Sequence, residues 1–307
     1  VFLQFELWKQ CSFGCKFCYN QGFTKVFNKL QNLQRVIDIM NSEEADRYDE
    51  FGIIGGEFFN GEISNKQVRK KFYELIDIMI DKLQKYKAKR CLVATSLMFE
   101  DSTEWLVFCK YLNDHFVTNK FLICTSFDIE YRFDEKKIDN WLVNMHLTKA
   151  LYPDINLHVE MILTQFLIDS VMNDDFNIKQ FEEGLQCRVD YAMPLCPYSY
   201  KYKNKQEMQK ALPGFFPTRD SFLKFLQYMY ENQYFNRQNI HELISADLHS
   251  DTCYMGFKDD DFYKMTDRHK LEAKSNPQLT PDMYGYIDSD VHPRDDIELF
   301  LQMLGEE

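Results

Sequence analysis

No stretch of this 307-residue chain reaches the roughly eighteen uninterrupted apolar residues that a membrane helix requires, so a membrane-spanning protein is not expected. The opening residues 1–8 are too short for a secretory leader, and the sequence predicts a cytoplasmic protein. Positive charge is scarce: 36 Lys and Arg stand against 48 Asp and Glu, a net charge of -12. A field of that sign opposes a long polyanion, so extended nucleic acid is not an expected partner. Cysteine pairs are lacking too. The nine cysteines are odd in number, and Cys91, Cys109, Cys124, Cys187, Cys196 and Cys253 are scattered, which excludes a disulfide framework. Neither a fixed-period repeat nor a low-complexity tract is present, which excludes a solenoid.

What is present suffices for a large core, with 45% hydrophobic and 16% aromatic residues. Short apolar segments at 1–8, 51–55, 91–97, 121–128, 155–163 and 188–195 read as strands, separated by stretches of helical period. One helix is expected over 24–40. A clearer one spans 68–83, where Val68, Phe72, Leu75, Ile76, Met79, Ile80 and Leu83 form a stripe that reads as core. Six strands alternating with helices imply a parallel sheet. The expected fold is α/β, a partial (β/α)6 TIM-type barrel over 1–200. Beyond that point the alternation gives way to one helix at 219–234 and turn-rich sequence, read as a C-terminal cap or substrate-specific extension over 201–307. Residues 282–307 carry eight carboxylates against Arg294 alone, the pattern of a solvated surface or of a face covering a basic partner.

Strand parity indicates what faces inward. Ile155, Leu157, Val159, Met161 and Leu163 alternate with Asn156, His158, Glu160 and Ile162, and Gln4, Glu6 and Trp8 oppose Leu3, Phe5 and Leu7. Helices are expected to cover the apolar face, leaving a polar lumen on the other.

The chemistry centres on Cys11-Ser-Phe-Gly-Cys15-Lys-Phe-Cys18, three thiols within eight residues after a strand. Thiolates ligate iron-sulfur clusters, and three of them leave one iron of a four-iron cluster without a protein ligand. A zinc site is the alternative, although it ordinarily wants a fourth Cys or His nearby, and the nearest His in sequence is His115.

This C-x3-C-x-Φ-C run, with Phe17 before the last cysteine, resembles the signature of the radical S-adenosylmethionine (SAM) superfamily. The resemblance implies a [4Fe-4S] cluster on Cys11, Cys15 and Cys18, with SAM chelating the fourth iron. It implies reductive cleavage of SAM to methionine and a 5′-deoxyadenosyl radical that abstracts hydrogen from a substrate, and an electron donor such as flavodoxin or ferredoxin. Gly55-Gly56-Glu57, ending the second strand, resembles the family motif that contacts the SAM amino group, although Phe58 stands where the family usually has proline.

Family likeness also marks Ser126 and Asp128, at the end of the fourth strand, as SAM contacts, with an ordinary helix cap as the alternative for Asp128. Glu160 and His158 face the lumen as SAM or substrate contacts, or form a satisfied buried pair. Cys187, Cys196 and Cys253 are open to three readings: an auxiliary cluster, a hydrogen-atom donor among them, or unreactive thiols. Tyr200-Lys-Tyr-Lys-Asn-Lys suits either a phosphate-bearing ligand or a solvated loop. The expected substrate is a nucleotide or other small molecule, with a peptide as the alternative. A non-catalytic zinc or iron-sulfur protein is the competing class.

Overall fold

The computed structural model describes residues 2–18, 28–43, 45–86, 89–128, 130–194, 202–235, 240, 252–258, 261–264 and 285–305. Strands β1 (Phe2–Glu6), β2 (Glu50–Ile54), β3 (Arg90–Ala94), β4 (Phe121–Phe127), β5 (Asn156–Ile162) and β6 (Arg188–Ala192) pair in sequential order, all parallel. An order in which each strand adds beside its predecessor winds in one direction, as in a partial (β/α)6 barrel and unlike a doubly wound sheet. Right-handed crossovers then put the connecting helices on one face. Leu3, Phe5, Phe51, Ile53, Val93, Phe121, Ile123, Leu157, Val159 and Met161 are buried in the core. The opposite parity carries Ala94, Cys124, Ser126, Asn156 and His158, half-buried, and Glu160, exposed. This is the polar lumen that strand parity predicts.

Sequence and structure part company at the C-terminal side. Strand β7 (Thr252–Lys258) pairs parallel with β1, and β8 (Asp261–Lys264) pairs antiparallel with β7. No strand was expected there. Pairing with β7 occupies the edge that β1 would otherwise present unpaired.

Helices α1 (Lys29–Met40) and α2 (Lys66–Lys85) start at asparagine caps: Asn28 accepts from Gln31 N, and Asn65 from Gln67 N and Val68 N. All seven stripe residues of α2 are buried, Met79 among them. Next come α3 (Thr103–Asp114) and α4 (Glu135–Leu151), then α5 (Gln165–Met172) and α6 (Ile178–Leu185), both of which lie between β5 and β6. The later helices are α7 (Lys205–Ala211), α8 (Arg219–Glu231) and α9 (Pro293–Met303). The acidic end is not simply a solvated surface: Asp296 on α9 is buried and ion-paired with Arg219 of α8. Asp288 accepts from Arg219 N.

Buried side chains of α4 hold the strand ends in place. Asn144 Nδ2 donates to the carbonyls of Leu97 and Phe99, each at 2.9 Å, fixing the turn after β3 where Leu97 adopts a left-handed φ of 54°. Trp141 Nε1 donates to Thr125 Oγ1 at 3.1 Å, and Thr125 Oγ1 donates to Ser96 O at 3.2 Å. Asn144→Ala leaves two carbonyls without this donor and is expected to cost about 2 kcal/mol, read as a lower urea midpoint with an unchanged slope.

Candidate functional site

The cysteine loop grows directly from β1, and its stem is bound to the end of β2. Leu7 N donates to Ile54 O at 3.1 Å, Gly56 N to Trp8 O at 2.7 Å and Glu57 N to Gln10 O at 3.2 Å, so parallel pairing continues past both strands. Glycine is needed twice. Gly55 has φ +142°, and a Cβ there would overlap Trp8 O; a Cβ on Gly56 would overlap Gln10 O. The close approach these glycines permit is to the chain's own cysteine-loop stem.

Glu57 is buried, and its carboxylate accepts five hydrogen bonds. Oε1 takes Phe58 N (2.9 Å), Phe59 N (3.1 Å) and Thr95 Oγ1 (2.8 Å), and Oε2 takes Ser96 N (2.6 Å) and Ser96 Oγ (2.5 Å). A carboxylate offers about four lone-pair sites, so this one is saturated from within. The departure at Phe58 has a physical account: proline lacks the N–H that Phe58 gives to Glu57. The Phe58 ring is fully buried against Trp8, edge to face at 5.2 Å.

Cys11 is exposed, Cys15 buried and Cys18 half-buried. Cys18 N donates to Cys15 O at 3.1 Å, closing a turn after Gly14, whose φ is +63°. Although solvent reaches Cys11, the protein packed around its sulfur desolvates the thiol and pushes it up to about 12, with the charges of Glu57, Cys15 and Cys18 adding to the effect. The three sulfurs thus share one electrostatic neighbourhood, one that a bound cation would reverse. Among the described residues no three His, Cys, Asp or Glu side chains are already gathered as a metal site. The donor set itself, three soft thiolates on one anchored loop, fits an iron-sulfur cluster.

From its far side the loop is held by the turn after β4 and by the segment around α7. Lys16 N donates to Tyr131 O at 3.0 Å, Tyr202 Oη to Lys16 O at 3.3 Å, and Tyr131 Oη to Pro213 O at 2.6 Å. Asn60 Nδ2 donates to Ser12 Oγ at 2.8 Å. Phe17 stacks on Phe215 at 5.5 Å, and its ring lies 5.6 Å from the Arg132 guanidinium. Its aromatic surface is thereby engaged by protein on two counts.

In the lumen, Ser126, Glu160 and Asp190 stand in register on β4, β5 and β6. Asp128 lies just past β4, buried, and its Oδ1 accepts from Tyr131 N (2.6 Å) and Arg132 N (3.2 Å). It caps this turn, while Asp134 caps α4 by accepting from Lys137 N. Burial pushes the Asp128 carboxyl up despite those hydrogen bonds. Glu160 is open to solvent through the lumen but surrounded by protein, and that burial pushes its carboxyl up; Arg132 partly offsets the effect and Asp190 reinforces it. His158 does not pair with Glu160. Its Nδ1 lies 3.1 Å from Asp190 Oδ2 and its Nε2 3.1 Å from Asn156 Oδ1. Burial opposes ionisation of Asp190, but hydrogen bonds from His158 and Arg188 outweigh it and hold the carboxyl below its usual range. On β1, Glu6 is buried and ion-paired with Lys9 at 3.8 Å.

Arg132, Arg188 and Asp190 are absent from the sequence-based site. The parity of β6 would have found the last two, whereas Arg132 sits in a loop without pattern. Cys187 is half-buried, its thiol pushed up to about 11 by burial. Cys196 lies outside the described residues, as does the side chain of Cys253. Of the basic and aromatic segment, Tyr200 and Lys201 lie outside the described residues. Tyr202 and Lys205 are buried, with Lys205 Nζ donating to Tyr286 O, whereas Lys203 and Asn204 between them are exposed.

No family model matches the chain, and no curated protein matches it in sequence. Among solved structures it is similar to one described as hexahistidine-tagged anSMEcpe with bound AdoMet, at 16% identity and a TM-score of 0.46. The likeness covers 82% of this chain and 63% of that one, so the chain spans less than two thirds of that protein's length.

The saturated carboxylate generates a prediction. Glu57→Gln turns an amide toward N–H donors and is expected to destabilise the protein, free of any cofactor, by about 2–3 kcal/mol in denaturant unfolding. An unchanged midpoint would show that Glu57 does not lock the strand ends together.

Proposed function

We propose that the chain is a radical SAM enzyme, with a [4Fe-4S] cluster on Cys11, Cys15 and Cys18 and SAM lying across the strand ends. One observation carries this reading. The three-thiol loop is bound through its stem to the Gly55-Gly56-Glu57 turn, at the C-terminal end of a one-way parallel sheet, above a polar lumen. When bound, such a cluster supplies the electron for reductive SAM cleavage and so initiates hydrogen abstraction.

The chain's own residues do the rest. Cys11, Cys15 and Cys18 hold the metal. The glycine pair keeps the loop pressed to the sheet, and Glu57 locks the ends of β2 and β3 together. Backbone carbonyls at 55 and 56 are left to receive the SAM ammonium, since the Glu57 carboxylate is already saturated and its carbonyl accepts from Trp8 Nε1 at 3.3 Å. Phe17, Tyr131, Phe215 and Phe216 form an apolar lid beside the loop that limits water. Ser126, Glu160 and the groups on β6 orient the substrate, a nucleotide or other small molecule, with a peptide as the second possibility. The described segment around α7, which meets the cysteine loop through Tyr202 and Phe215, closes over the mouth, and a flavodoxin or ferredoxin supplies electrons. No helix among the described residues is long and apolar enough to cross a membrane, and the cytoplasm, which keeps thiols reduced, is the proposed compartment.

Anaerobic reconstitution is expected to give about four irons per chain. Dithionite should then convert added SAM to methionine and 5′-deoxyadenosine. Cys15→Ala should lose the iron and the turnover together. Stoichiometric zinc without SAM cleavage would instead establish the competing class, a structural metal protein.

A further inference from the structure

Two opposite charges, the Arg132 guanidinium and the Glu160 carboxylate, lack hydrogen-bond partners among the described residues. No described side chain accepts a hydrogen bond from the Arg132 guanidinium, and its Nε is sealed from solvent. The contact it does make is with the face of Phe17. Glu160 on β5, near enough for the Arg132 charge to act on it, accepts no hydrogen bond from any described residue. The two sense each other's charge but form no ion pair. Asp190 is satisfied by Arg188 and His158 and Glu57 by five donors, while Asp128 accepts from the turn through Oδ1 and also feels the Arg132 charge without hydrogen-bonding its guanidinium.

Leaving a buried donor without an acceptor costs about 1–3 kcal/mol, more when it is charged. A carboxylate that loses its water as a site closes needs donors in their place. Both deficits are met by one molecule with an acceptor at one end and a donor at the other. We propose that Arg132 and Glu160 are the two poles of the substrate site, and that the substrate is a small zwitterion, offering a carboxylate or phosphate to Arg132 and a protonated amine to Glu160. This rests on the reading of the lumen as the reaction chamber and narrows its substrate class.

The test uses the full chain and a ladder of ω-amino acids from glycine to 6-aminohexanoate, with butylamine and butyrate as single-charge controls. One ladder length is expected to raise the thermal midpoint of the wild type. Glu160→Gln and Arg132→Met should each weaken its Kd about tenfold or more, the loss of one charged hydrogen bond. The controls should have no effect. If no member of the ladder binds, or if the variants bind it as well as the wild type does, the two-pole site is wrong. SAM affinity, measured on reconstituted protein, should stay within about twofold in both variants; a parallel tenfold loss would assign the poles to SAM and overturn the proposal. Zwitterion binding by a chain that cleaves no SAM would support the site and sink the enzyme class alone.

A second readout separates function from structure. Burial raises the folded-state pKa of Glu160, so its ionisation destabilises the fold as pH rises through and above the ordinary carboxylate range. Glu160→Gln should therefore raise the unfolding midpoint at pH 7 and lose that advantage at pH 4. A lower midpoint at pH 7 would make Glu160 a structural residue and overturn the proposal.

Discussion

The candidate site depends on the few backbone hydrogen bonds by which Gly56 and Glu57 hold Trp8 and Gln10. They extend a strand pairing beyond the sheet proper, so the cysteine loop begins at a fixed point instead of swinging from a free strand end. Side chains at 55 and 56 would prevent that approach, since each Cβ would occupy the place of a carbonyl oxygen. The Glu57 carboxylate then ties this turn to Thr95 and Ser96, and Asn144 and Thr125 tie the following turn to α4 and β4. Four consecutive strand ends are linked in this way, each through a buried and satisfied polar group. Such networks make the geometry rigid, because breaking any single member leaves a buried partner unsatisfied.

Rigidity at the rim contrasts with the lumen wall. One-way winding commits every crossover helix to the same side, so one parity of side chains points away from the helices, and on β4, β5 and β6 it is half-buried or exposed. That freedom lets His158, Glu160, Arg188 and Asp190 collect on β5 and β6 without a packing penalty. The same parity on β1 is less open, with Glu6 and Trp8 buried near the loop stem. The polar lumen is therefore lopsided, with most of its charge opposite the cysteine loop.

Much of this was legible in the sequence because it is local. The α2 stripe from Val68 to Leu83, the β5 alternation and the cysteine spacing are each fixed by residues within about one element's length. What escaped depends on residues far apart in the chain. The segment forming β7 gains its strand state by meeting β1, roughly 250 residues away in sequence. Tyr202 and Lys205 read as solvated because their partners, Lys16 and Tyr286, are equally remote. Glu57 was placed correctly at the end of β2, but its saturation depends on the β3 turn, which no spacing rule encodes. Arg132 shows no periodicity at all, and only its missing acceptor marks it.

The overall charge bears on what the lumen can admit. A net charge of -12 sets a field that opposes an anionic substrate and favours a cationic one, yet the Arg132 guanidinium at the mouth has no hydrogen-bond acceptor among the described residues. A purely cationic ligand would satisfy Glu160 while leaving the Arg132 Nε unpaired beside a second positive charge. A purely anionic ligand would be resisted by the field and would face Glu160 and Asp190. A zwitterion carries no net charge against the long-range field and presents the matching sign at each pole over the short range, where the low dielectric of a closing site makes the match count most.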